Sequence, residues 1–183
     1  MKLFIDSATK VLHVALMNEK LIDIHSHVGN NDHSKTLMAE IEKMMLKNDV
    51  DVKDLTEIIV GEGPGSYTGV RIGVVVAKTL AHFLSIPLKK VSSLEVMASS
   101  KTGIVPVMID ARRGNVFSAV YDTENNYKVI VEPKMRKTEE FMELIDSEVV
   151  TIENLNINPL VLKTEVVDNL HTFTPNYLRE WGE

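Results

Sequence analysis

The stretch Gly61–Ala81, GEGPGSYTGVRIGVVVAKTLA, constrains this chain more than any other. Gly61, Gly63, Pro64 and Gly65 can propagate neither a helix nor a strand, so they predict a tight loop. Thr68 or Ser66 can cap the helix that follows, expected from about Gly69 to Ser85 and stopped before Pro87. Gly65, Gly69, Gly73, Ala77 and Ala81 recur at every fourth position, which gathers small side chains on one face. An interior glycine costs about 1 kcal/mol against alanine. Such a face therefore predicts close approach to the backbone by another helix, a sheet, or the phosphates of a ligand.

The loop matches none of the standard phosphate or nucleophile motifs. No Gly-Lys-Ser/Thr follows Gly65, position 66 is serine where GxGxxG needs glycine, and Pro64 and Thr68 flank Ser66 where a GxSxG elbow needs glycines. A loop feeding a helix N-terminus can still hold an anion on free backbone N–H groups. The competing reading is a turn that lets the helix pack tightly on a sheet.

Around this stretch the pattern predicts an α/β chain. Lys2–Asp6, Val11–Met17 and Leu21–Val28 read as three consecutive antiparallel strands. Gly29-Asn30-Asn31-Asp32 breaks the pattern, and Asp32 or Ser34 can cap a helix from about Lys35 to Lys47. Ile58–Val60 and Leu88–Val91 read as short strands, and Ser92 or Ser93 caps a short helix to about Ser99. Gly103 suggests a boundary between a lobe spanning 1–103 and a smaller one spanning 104–183. In the second lobe the expected strands are Val105–Asp110, Val116–Tyr121, Tyr127–Glu132 and Glu148–Ile152, with a helix capped by Thr138. The order half-repeats, which predicts two related lobes, each a mixed sheet with helices packed on it.

Composition narrows the function classes. Twenty basic against 26 acidic residues give a net charge of −6, which argues against direct binding of nucleic acid through phosphates. The absence of cysteine excludes disulfides, thiolate metal sites and a thiol nucleophile. Asp6 and Lys10 interrupt the N-terminal apolar run, so no signal peptide is read, and the helix with Arg71, Lys78 and His82 is too charged to span a bilayer. A cytoplasmic protein is expected.

Several residues carry candidate chemistry. Asp6 and Asp110 each end the first strand of a lobe, where an acid can hold a metal or orient water, or simply bond its own turn. No glycine follows close behind Asp6, which weakens an actin-like ATPase or kinase. His25, His27 and His33 form a candidate metal cluster, but no HExxH or HxxxH is present and no acid is placed to join them, so no metal site is expected. Arg112 and Arg113 suit either a phosphate or carboxylate contact or a solvated turn. On the first long helix Leu37 and Ile41 are expected to bury, and Met38, Met44 and Met45 widen the stripe beyond what one sheet face needs.

Taken together the motifs resemble the TsaB (YeaZ) family. Phe4-Ile5-Asp6-Ser7-Ala8-Thr9 is similar to its opening IDTST, and His33-Ser34 to its helix-starting HS. Gly63–Gly73, GPGSYTGVRIG, resembles the signature GPGSFTGLRIG; Asp110–Phe117 resembles DARRGEVY, and Pro175–Arg179 the C-terminal P-x-YLR. The resemblance implies an actin/Hsp70-like (ASKHA) fold of two RNase H-like lobes, here with a shortened second lobe. It implies a non-catalytic scaffold with no catalytic residue and no metal of its own, because the histidine pair of the catalytic paralogue TsaD is absent. The partners implied are TsaD, the ATPase TsaE, a second copy of the chain when alone, and tRNA only through the complex. ATP or ADP is expected, if anywhere, at the joint with TsaD.

The expected partner surface is Leu37, Met38, Ile41 and Met45 on one helix and Gly69, Arg71, Gly73 and Ala77 on the other. The expected phosphate-proximal set is Asp6, Ser7, Gly63, Gly65, Ser66, Asp110 and Arg112. The rival readings are an actin-like ATPase or kinase using Asp6 and Asp110, a metallopeptidase as older family labels have it, and an RNase H-like nuclease.

Overall fold

The computed structural model describes residues 1–29 and 32–178. Asn30, Asn31 and Arg179, each part of a motif above, lie outside the described residues. Strands β1 (Lys2–Asp6), β2 (Val11–Met17) and β3 (Leu21–Val28) form the expected meander, and helix α1 (His33–Lys47) leads to β4 (Glu57–Gly61). Helix α2 (Tyr67–Leu84) leads to β5 (Leu88–Val91) and α3 (Ser93–Ala98). The six-stranded sheet has the order β3-β2-β1-β4-β5-β9, with β1, β4 and β5 parallel and β9 (Glu165–Val166) antiparallel on the edge. Parallel neighbours need crossover connections, and α1 and α2 supply them.

Alternation along β1 explains why its run is almost wholly apolar. Leu3 and Ile5 face a core made with Leu37, Ile41, Met44, Val70, Val74 and Ala77 of the two long helices. Phe4 faces the other side, with Ala15, Ile59, Val91, Val96 and Ile157. A central strand covered on both faces has no polar side to show.

The second sheet has the order β6-β7-β8, all antiparallel: β6 (Ile104–Arg112), β7 (Asn115–Asp122) and β8 (Lys128–Lys137). Helix α3 packs Leu94, Met97 and Ala98 on one face. Helix α4 (Thr138–Met142) packs Phe141 on the other. Expected to stop at Glu132, β8 instead runs five residues further, to Lys137. Pro133 falls where the pairing shifts between Ser118 and Val120, on an edge strand, and there a residue without an N–H is tolerated.

The strand expected at Glu148–Ile152 is a single parallel bridge, Val107 to Val150. The tail then leaves the second sheet. It adds β9 to β5, and further on Asn176 N–H donates to Glu62 O at 2.7 Å, so residues from both sides of position 103 build the first sheet.

Caps also sort themselves. Ser66, not Thr68, caps α2, and Ser92 caps α3. Asp32 is the N-cap residue of α1 without a side-chain bond, and Lys137 precedes α4 where Thr138 was expected.

Candidate functional site

Two places carry the sequence's candidates: the loop at the C-terminal ends of β1 and β4, and the outer surface of α1 and α2. In the loop, the segment after β1 lies along the small-residue face of α2. Ser7 Oγ donates to Gly69 O at 2.8 Å, and Ser66 N–H donates to Ala8 O at 2.7 Å. A Cβ built on Gly65 would strike the Ala8 carbonyl, on Gly69 the Ser7 carbonyl, and on Gly73 the Ser7 hydroxyl. The spacing of four is thus explained by this chain's own backbone. Gly69, Gly73 and Ala77 turn inward and are buried, which corrects their assignment to a partner surface. The strip they leave clear is filled by Ser7 and Ala8.

Three further backbone donors around the loop are held by this chain's own groups. Gly63 N–H donates to Ser93 Oγ at 3.2 Å, Glu62 N–H to Val91 O at 2.9 Å and Gly69 N–H to Ser66 Oγ at 3.3 Å. Gly63 sits at φ +100°, and a Cβ there would lie 2.5 Å from Asn176 O. The tail therefore closes the loop from above, a contact that no local pattern around Gly63 signals. Asp6 is buried beneath it. Its Oδ1 accepts from Ala8 N–H at 2.8 Å, and its carboxyl lies against Gly61, where a Cβ would be 2.5 Å from its Cγ. Burial pushes this carboxyl up to about 6, against the lowering effects of the Ala8 N–H, Ser93 and His33.

Asp110 and Arg112 lie in the β6–β7 hairpin. Asp110, two residues before the end of β6, is exposed and accepts from Arg112 N–H at 2.7 Å, so it bonds its own turn. Arg112 and Arg113 are exposed at φ 69° and 54°, followed by Gly114 at 72°, so the pair forms a solvated turn.

On the helices, Leu37 and Ile41 bury as their spacing predicts, and with Met44 and Met45 they belong to the first core rather than to a partner surface; Met38 is half exposed. Arg71 is exposed. Its guanidinium stacks 4.0 Å over Tyr67, and its Nε donates to Tyr177 Oη at 2.7 Å. Around it runs a shallow groove of about 370 Å³ lined by Ser34, Tyr67, Thr68, Ile72, Val75 and Val76. Val75 is 60% and Phe83 80% exposed, and Leu46 on α1 is 72% exposed. This outward apolar face was missed from spacing, because α2 is apolar nearly all round. Assigning its glycines to the sheet side leaves Val75 facing away, with Ile72 and Val76 half-buried at the margin of the first core.

The histidines separate. His33 is buried at the start of α1, its Nε2 2.8 Å from Thr9 O. His25 and His27 share the helix-facing side of β3 and stack at 6.5 Å, and Glu40 of α1 reaches His25 Nε2 at 3.1 Å. Glu40 is the acid that the sequence alone did not bring to them.

A mixed sheet of this order, with its glycine loop opening the second crossover helix and a smaller sheet following, defines the actin/Hsp70-like class of fold. The chain belongs to the TsaD family: the family model described as tRNA N6-adenosine threonylcarbamoyltransferase matches residues 19–176. Several of its curated relatives are TsaB proteins, in line with the motif resemblance. The tRNA threonylcarbamoyladenosine biosynthesis protein TsaB of Bacillus subtilis (strain 168) is 40% identical over 128 residues, covering 67% of this chain and 56% of that protein. That of Escherichia coli (strain K12) is 34% identical over 129 residues, covering 68% and 56%. The matches thus span little more than half the length of these relatives. Among solved structures, an uncharacterized Pseudomonas aeruginosa protein with similarity to peptidase YEAZ superposes with TM-score 0.80 at 22% identity, covering 97% of this chain and 99% of that one. YeaZ from Pseudomonas aeruginosa superposes with TM-score 0.64 at 27% identity, covering 74% and 66%. Among the described residues no helix is long and apolar enough to cross a membrane.

Proposed function

We propose that this chain is a cytoplasmic, non-catalytic subunit supporting threonylcarbamoylation of N6 of adenosine 37 in tRNAs that read codons beginning with A. In this reading it pairs with a TsaD-type paralogue through the outward face of α1 and α2, and TsaE joins the pair. The observation that carries the reading is the division of α2. Its small-residue face is sealed on Ser7 and Ala8, leaving the loop donors named above already bonded, while its other face holds Tyr67, Val75 and Phe83 in solvent. An exposed apolar strip of that kind marks a place where proteins meet. The net charge of −6 suits a subunit that reaches tRNA only through its partners. ATP or ADP, if bound, would sit at the joint with the paralogue, near Asp6 and the 63–66 loop.

A pull-down of the tagged chain from extract of its own cells tests the class. The expected result is recovery of the paralogue and of the ATPase. Recovery of neither, with the chain itself folded, overturns the proposal.

A further inference from the structure

We propose that His25, His27 and Glu40 form a site for a divalent transition-metal ion such as Zn(II), linking strand β3 to helix α1. Residues two apart on a strand share a face, and the register places His25 opposite Val14 and His27 opposite Leu12, on the side that α1 covers. Glu40 meets them from α1. One donor atom from each of the three lies within 4.8 Å of the other two.

Two features argue for an ion rather than for a simple ion pair. The contact from Glu40 Oε2 to His25 Nε2 at 3.1 Å satisfies one imidazole only. His27 Nε2 is buried beside them with no hydrogen-bond partner among the described residues, an arrangement that a coordinate bond would satisfy. Two imidazoles and a carboxylate are also a donor set that suits Zn(II), with a fourth position left for water or a further ligand. Zn–N and Zn–O bonds near 2 Å put tetrahedral donors roughly 3.3 Å apart. The donor atoms thus need to draw together by up to about 1.5 Å to close on an ion, and Glu40 has the rotatable bonds to do it. The ion would fix α1, which carries Met38 and Leu46, against the edge of the sheet.

The test uses the chain stripped of metal and carrying no affinity histidines, titrated with Zn(II) by calorimetry and with Co(II) by visible absorption. One equivalent is expected to bind with Kd on the order of 1 µM or tighter, with the intense Co(II) bands of a four-coordinate site. His27→Ala and Glu40→Gln are each expected to weaken binding at least about tenfold, with unchanged circular dichroism. Glu40→Gln keeps the helix and the side-chain volume, so it reads the ligand role even if His27→Ala perturbs packing. His171→Ala, at the separate His82–His171 pair, is expected to change nothing. Absence of saturable binding, equal affinity in Glu40→Gln, or loss of binding in His171→Ala instead would each overturn the site.

Discussion

Gly69→Leu is expected to unfold the protein or to cost more than about 4 kcal/mol, a large part of the total stability of an ordinary domain. A Cβ at this position would strike the Ser7 carbonyl, which is backbone and cannot swing away. Beyond Cβ the leucine has no room, since Val70 and Val74 of the same helix already fill the core beside Ile5. Gly73→Ala is the more discriminating variant. Helix propensity alone favours alanine by about 1 kcal/mol. Its Cβ, however, displaces the Ser7 hydroxyl that donates to Gly69 O, so a net loss of about 1–3 kcal/mol is expected. Urea titration measures both. Were the small-residue face a docking surface, Gly69→Leu would instead leave the fold intact and abolish only partner binding.

Asp6→Asn is expected to stabilise the protein at pH 7 by up to about 3 kcal/mol and by well under about 1 kcal/mol near pH 4. The carboxyl is held at about 6 in the fold against 3.8 in the open chain, chiefly by burial. A group raised in this way contributes stability below pH 3.8 and loses it as the pH climbs through about 6. Asparagine cannot ionise, so it keeps at neutral pH what aspartate has lost, and its Oδ1 can still accept from Ala8 N–H.

His13 works in the opposite direction. Burial pulls it down to about 4 from 6.5; its Nδ1 contacts Ser26 Oγ at 2.8 Å, and its Nε2 is buried without a partner among the described residues. Its contribution is present above pH 6.5 and is lost as the pH falls through about 4. Between pH 4 and 6 the two slopes oppose each other in the native protein. Removing Asp6 takes away one of the slopes that oppose the histidine, so over that window the variant's stability should fall less steeply with pH than the parent's. Glu95, pushed up to about 7 by burial and then by the charge of Glu165, adds a slope of the same sign as Asp6. The comparison is therefore between variants rather than within one curve. An Asp6→Asn protein no more stable at pH 7 than at pH 4, relative to the parent, would contradict this account.

Much of the first sheet was legible because its signals are local and agree with one another. β1, β2, β3 and β5 begin and end where alternation and turn residues put them, and the α2 cap was one of the two hydroxyls offered. What the pattern could not supply were choices between equally apolar faces and contacts made from far along the chain. α2 carries Val70 and Val74 inward but Val75 and Phe83 outward, and nothing in their spacing says which side meets the sheet. The answer came from Ser7 and Ala8, some sixty residues away. The end expected for β8 at Glu132 fell short because the edge position that tolerates Pro133 is a property of the sheet, not of the sequence around it. Strand β9 is two residues long and carries no pattern at all; its pairing with Lys89 and Lys90 is set by where the tail must run. Glu40 joined His25 and His27 only once α1 lay across β3.

In the proposed function the paralogue docks on the outward face of α1 and α2. Val75→Asp and Phe83→Asp, both at exposed positions and so without a core to disturb, test it most directly when titrated against the purified TsaD-type paralogue by calorimetry. The account predicts that each variant keeps the parent's urea midpoint and loses binding by at least about tenfold, with Ile130→Asp, at an exposed position on the edge strand β8, unchanged. Both variants binding as tightly as the parent would contradict it.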